Sequence, residues 1–127
     1  MSDAFTLENT TQAVLPSVDF HAMKNEILGK DYQLSLVFVP ASKMSTLNLT
    51  YRDRKCATDI LSFPLTENEG EIYICPSEAR KESVKFDRTY ANFLAFLFIH
   101  GCTHLKGFDH GGTMEGHELR FRKLFGI

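Results

Sequence analysis

A chain of 127 residues, 43% hydrophobic and 24% charged, is the size of one domain and can bury roughly two thirds of its unfolded surface. A formal net charge of −2 excludes a generic nucleic-acid coat protein, and the longest apolar run, Phe93 to Ile99, is far below the roughly 20 residues that span a bilayer. Three cysteines (Cys56, Cys75, Cys102) form no CxxC pair, and the first residues lack the basic start and apolar run of a signal peptide, so a reducing, cytoplasmic setting is expected.

The opening fifteen or so residues suggest a strand or loose arm. Asp19 is placed to cap a short helix through Leu28, ended by Gly29. Tyr32 to Val39 is rich in strand formers and closes at Pro40. Ser42 to Tyr51 has helical spacing, with Met44, Leu47 and Tyr51 on one face. Asp59 to Pro64 and Glu71 to Cys75 suggest two strands, joined by an acidic hairpin loop containing Gly70. A short polar helix follows from Pro76 or Ser77 to about Val84. Asp87 then resembles the N-cap of a long helix from Arg88 to about Lys106, whose middle is apolar on nearly every side. A last amphipathic helix, Thr113 to Phe125, is expected to turn Leu119, Phe121 and Leu124 to the core. No repeat or linker divides residues 1–127, so one α+β domain is expected: a small mixed sheet packed with helices around a central buried helix.

The end of that central helix carries the chemistry. His100 and His104 are four residues apart and share a helix face. His110 would point elsewhere if the helix ran on, but Gly107 permits the left-handed turn that brings it back. Three imidazoles with a fourth tetrahedral position open for water describe a catalytic metal site. Three of the five histidines fall within eleven residues, with the glycine in register, which argues against coincidence. Cys102, about 200° from His100 around the helix, should face away from a metal. The spacing is that of a metzincin, yet Gly101 stands where the protease's glutamate belongs. A zinc metallopeptidase would need a distant acid such as Glu115 or Glu118. A structural zinc in a non-catalytic module is the other alternative. His21 and His117 lie outside the motif and read as surface or helix-face residues. The basic clusters Arg52, Arg54, Lys55 and Arg80, Lys81, Lys85, Arg88 suit either a solvated face or contact with phosphates.

A second constellation narrows the choice. Asn48-Leu-Thr-Tyr-Arg52, Ala57-Thr-Asp-Ile-Leu-Ser-Phe-Pro64, Gly70-Glu-Ile72 and His100 to His110 follow one another in the order of the YbeY family of metal-dependent endoribonucleases, which the chain resembles from about Leu47 to His110. Ala57 stands for that family's usual proline, Glu71 for its aspartate and Phe108 for its tyrosine, and the segment after His110 is short. The resemblance implies a zincin-like fold and one zinc ion on His100, His104 and His110, although imidazole also suits other divalent transition metals. It further implies cleavage of single-stranded RNA in 16S rRNA 3′-end maturation and ribosome quality control. The expected partners are rRNA, the ribosomal small subunit and its proteins, with neither DNA nor a membrane. Arg52 and His100 become the expected catalytic residues, with Arg52 gripping the phosphate. Asp109 is either an acid orienting an imidazole or simply a turn residue.

Overall fold

Alternating burial along one strand sets the layers of the molecule. The computed structural model describes residues 4–54, 56–107 and 112–127, without the side chains of 112 and 113. Its elements are β1 (Phe5–Asn9), α1 (Phe20–Leu28), β2 (Gln33–Phe38), α2 (Ala41–Arg52), β3 (Ile60–Thr66), β4 (Glu69–Ile74), α3 (Pro76–Lys85), α4 (Tyr90–Leu105) and α5 (Gly112–Phe125). In β2, Leu34, Leu36 and Phe38 join Ile72 and Ile74 of β4 in a core shared with α1, α4 and Phe121 of α5. The opposite phase, Val37 and Val39 with Leu61, Tyr73 and Cys75, packs on Met44 and Leu47 of α2. A period of two on a pleated surface thus gives one sheet with helices on both faces.

The four strands lie in the order β1-β2-β4-β3, with β1–β2 and β2–β4 parallel and β3–β4 antiparallel. The α+β expectation with a mixed sheet is met. β3 is an edge strand, which is how it accommodates Pro64, a residue with no N–H for a ladder. Its register shifts between Pro64 and Thr66, and the strand runs two residues past the expected end.

α4 is the buried helix the apolar run announces. From Phe93 to Leu105 every residue is buried except Phe96, His100 and His104. Its cap is Thr89, whose hydroxyl oxygen accepts from the Asn92 N–H at 3.1 Å. Asp87, expected in that role, instead takes a left-handed φ of 53° and turns the chain between α3 and α4. In α5 the buried positions are Met114, Glu118 and Phe121, whereas Leu119 and Leu124 are 44% and 60% exposed. The i, i+4, i+7 stripe that meets α4 therefore contains a carboxylate in place of those leucines. Tyr51 is likewise exposed, on the last turn of α2 against the Phe63 ring.

Gly70 lies inside β4 and not in the expected hairpin loop, because α4 and Tyr32 leave no room for a side chain. A Cβ there would stand 2.5 Å from the Tyr32 hydroxyl and 3.0 Å from Leu105 Cδ2. That hydroxyl is itself buried without a hydrogen-bond partner among the described residues. Gly70→Ala should therefore destabilise the protein by about 1–3 kcal/mol through overpacking. Adding Tyr32→Phe should restore most of the loss, since it removes the colliding oxygen and an unsatisfied polar group together. A double-mutant cycle in urea checks this; equal losses with and without the hydroxyl would contradict it.

Candidate active site

His100 and His104 sit on the last turns of α4 at positions i and i+4, so one helical face presents both rings. Their centroids are 5.1 Å apart and the ring planes stand at 84°. After them Gly107 takes a φ of 99°, and its N–H donates to the His104 carbonyl at 3.0 Å. The left-handed conformation expected of this glycine is present. Asp109 and His110, together with Phe108, lie outside the described residues. The structure thus brings two of the three expected ligands together, and among the described residues no group of three His, Cys, Asp or Glu side chains is gathered.

Gly101 lets the helix meet the sheet. A Cβ at this position would come within 2.9 Å of Ser62 Oγ, 3.0 Å of Ile60 Cδ1 and 3.1 Å of Ile72 Cδ1. The side of α4 next to His100 is therefore pressed onto β3, and a glutamate in this place would have to enter the packed interface. On the other flank, Glu118 of α5 lies 3.1 Å from His100 Nδ1. A carboxylate accepts, so Nδ1 is the ring nitrogen that donates. A ligand histidine held by an acid through its second nitrogen is the usual way such a ring is oriented. Glu118, only 9% exposed, is thereby committed to His100.

Facing the two histidines is an open cleft of about 310 Å³, lined by Arg52, Thr58, Asp59, Ile60, Leu61, Ser62, His100 and His104. Arg52 arrives as the last residue of α2, which stops because Asp53 adopts a left-handed φ of 53° and its N–H bonds back to the Leu49 carbonyl. Buried Asn48 then donates through Nδ2 to the Cys56 carbonyl at 2.8 Å, tying the following loop to α2. This bond holds the approach to Thr58 and Asp59. Among the described residues, Arg52 has no ion-pair partner within 4.0 Å.

Asp59 and Glu118 are the residues the sequence undervalued. Asp59 passes for a turn residue, yet it lines the cleft. Burial pushes its carboxyl above the usual carboxylate range, nearby Glu82 adds to the push, and donors from its own and the Ile60 backbone and from Thr58 pull it back. Glu118 could have been found from its place in the Met114–Phe121 stripe, since a carboxylate on a buried helix face requires a partner. Cys102 is fully buried, as its angular offset from His100 required, and burial pushes its thiol well up. His21 stacks on Phe5 at 5.5 Å, in line with a helix-face role.

Comparison with known proteins agrees along most of the chain. The family model for endoribonuclease YbeY matches residues 2–123. Endoribonuclease YbeY of Staphylococcus epidermidis is 34% identical over 112 residues, covering 77% of this chain and 72% of that protein. The Alkaliphilus metalliredigens protein of the same name is 33% identical over 104 residues, covering 73% and 67%. A solution structure of a Thermotoga maritima protein superposes with a TM-score of 0.71 at 25% identity, covering 96% of this chain and 89% of that one.

The raised Asp59 carboxyl has a stability consequence with a definite sign. The folded state holds this proton more tightly than the unfolded chain, so stability falls as pH rises from the ordinary value of 3.8 through the higher folded value. Asp59→Asn should accordingly raise the melting temperature at neutral pH, with the gain vanishing below the ordinary carboxylate pKa. Melting curves of both proteins across that range test it, and an equal or lower midpoint for the variant at neutral pH would count against the assignment.

Proposed function

The chain belongs to the YbeY endoribonuclease family, and from that premise we propose that it is a single-strand-specific, metal-dependent endoribonuclease of ribosomal RNA maturation, acting at the 16S rRNA 3′ end and in ribosome quality control. The observation that carries this reading is the cleft that Arg52 lines together with His100 and His104. Residues 1–127 form the catalytic domain on this reading. The partners are rRNA and the small ribosomal subunit in the cytoplasm, and no helix among the described residues is long and apolar enough to cross a membrane.

The residues present suit a divalent transition metal. Two imidazoles share a face, one is held by Glu118 through Nδ1, and the C-terminal end of α4 contributes partial negative charge that favours a cation. His100, His104 and His110 would hold one zinc ion, with Asp109 beside the third ligand. When bound, such an ion supplies Lewis-acid charge at phosphorus and acidifies water near neutral pH. Arg52 binds the scissile phosphate through two parallel N–H donors and offsets the negative charge that grows on its oxygens. Glu118 keeps the proton on His100 Nδ1 and stops the ring from turning. Ile60 adds apolar surface to the cleft, which strengthens these electrostatic contacts.

Three substitutions separate the roles. His104→Ala should lose both bound metal and RNA cleavage. Arg52→Ala should keep the metal and lower kcat by about 10²–10³. Glu118→Gln should weaken metal affinity by about 10–100-fold while leaving the fold intact. Metal content by elemental analysis and cleavage of a single-stranded RNA read these outcomes; undiminished cleavage by both the histidine and the arginine variant would refute the assignment. Removing the metal with a chelator should leave far-UV circular dichroism nearly unchanged, because α4 is held by its own apolar packing. Unfolding on chelation would mark the metal as structural.

A further inference from the structure

The partly open stripe of α4 does not end at the catalytic pair. One turn before His100, about 6 Å along the axis, stands Phe96. Two guanidiniums converge on its ring: Arg88 at 4.7 Å and Arg122 of α5 at 5.2 Å from the centroid. Arg88 is further anchored by donating from Nη1 to Asn92 Oδ1, one more turn back along the same face. Arg122 follows Glu118 by one helical turn on α5, so this helix supplies both the acid on His100 and the cation on Phe96.

Cation–π attraction explains why each guanidinium lies by the ring and not why two of them do. Like charges repel, and neither arginine has a carboxylate within ion-pair distance among the described residues. Arg122 Nε is buried without a hydrogen-bond partner among those residues as well. The arrangement has the makings of an anion site: planar donor forks held in place beforehand, with their charge uncompensated. Past it stands Phe86, 58% exposed and seated on the buried Phe93 that also stacks on Phe96, so one more open aromatic ring lies beyond the arginines. Alternating cations and aromatic faces suit a single nucleic-acid strand, whose phosphates and bases alternate in the same way.

We propose that Arg88 and Arg122, positioned by Phe96, bind a phosphate of the single-stranded RNA one helical turn away from the phosphate that is cut. This rests on the endoribonuclease reading above and deepens it by giving the substrate strand a direction across α4, from the catalytic pair towards Phe86. It also gives a reason for the basic residue Arg88, which sequence alone left open between solvent and phosphate. Phe96 acts as a positioning residue, because the guanidiniums lie over its ring and make the contacts.

The test compares the metal-loaded wild type with Arg88→Gln/Arg122→Gln on two substrates, a single-stranded oligoribonucleotide and a dinucleotide too short to reach Phe96. The expected result is a KM for the oligonucleotide raised about tenfold at unchanged kcat, the size of a lost charge-assisted hydrogen bond. The slope of log affinity against log salt should flatten by about 0.7, one phosphate contact on a single strand. Dinucleotide cleavage should not change. Because Arg122 is partly buried, Arg88→Lys/Arg122→Lys serves as the second variant; it should retain the salt slope and recover only part of the affinity, since charge survives and the planar fork does not. Unchanged KM and slope in the glutamine variant would overturn the proposal, as would an equal KM rise for the dinucleotide. Polyglutamate competing as well as the oligonucleotide would overturn it in favour of an acidic polypeptide. A wild type that cleaves no RNA would instead remove the endoribonuclease reading itself, a failure visible without any variant.

Discussion

The contact of α4 with the sheet at Gly101 is the constraint on which the site depends. Three atoms from Ser62, Ile60 and Ile72 crowd the space a Cβ would fill. Glycine costs a helix interior about 1 kcal/mol relative to alanine. Here the cost is offset by apolar packing over much of α4 and by the geometry gained: the edge strand and His100 become walls of one cleft. A larger residue at this position would push the helix off β3 and part the histidines from the strand that faces them. Gly101 also counts against the peptidase alternative, since a side chain in the glutamate's place would meet Ser62, Ile60 and Ile72. Of the two acids that alternative could call on, Glu115 and Glu118, the second lies against His100.

The same economy governs the other site residues, which stand at ends of elements held by packing. Arg52 ends α2, His100 and His104 lie near the end of α4, and Asp59 immediately precedes β3. Side chains at element ends reach a cleft while their backbones stay rigid. Each end is fixed by a specific device: the left-handed Asp53 after Arg52, Gly107 after the histidines, and the Asn48 bond to the Cys56 carbonyl between α2 and β3. These devices account for Asn48 and Gly107 in the motif segments as supports for chemistry carried by their neighbours.

What the sequence disclosed follows the range over which each signal acts. The histidine spacing, the Gly107 turn and the apolar run of α4 are local, depending on helical periodicity and one residue's conformational freedom, and all three are present. The cap of α4 was misplaced because Asp87 and Thr89 are both good candidates, and only the turn after α3 decides between them. Leu119 and Leu124 look like core residues by type, yet the stripe that meets α4 is Met114, Glu118 and Phe121. That outcome depends on rotation of α5 about its axis, which α4 imposes. Gly70 shows the same limit, being turn-like in composition and placed in a strand against Tyr32, just before β2, and Leu105 of α4. Glu118 on His100 joins residues 18 apart on different helices, and no spacing rule connects them.

A metal on the histidines, as proposed, would not by itself select the bond to be cut, because such an ion can polarise a carbonyl or a phosphoryl oxygen. The surroundings make the selection through charge. A peptide carbonyl is neutral and calls for a base and an oxyanion hole, whereas a phosphodiester arrives negative and gains from cations placed before it binds. This cleft is lined, with the histidines, by an arginine that has no ion-pair partner among the described residues, and one turn along α4 two more guanidiniums share a ring. With a formal net charge of −2, these arginines, which come from α2, α5 and the approach to α4, are a local feature that overall basicity does not explain. Substrate class is therefore written in the neighbours of the histidines, and helical periodicity places the nearest of them, Phe96, one turn away.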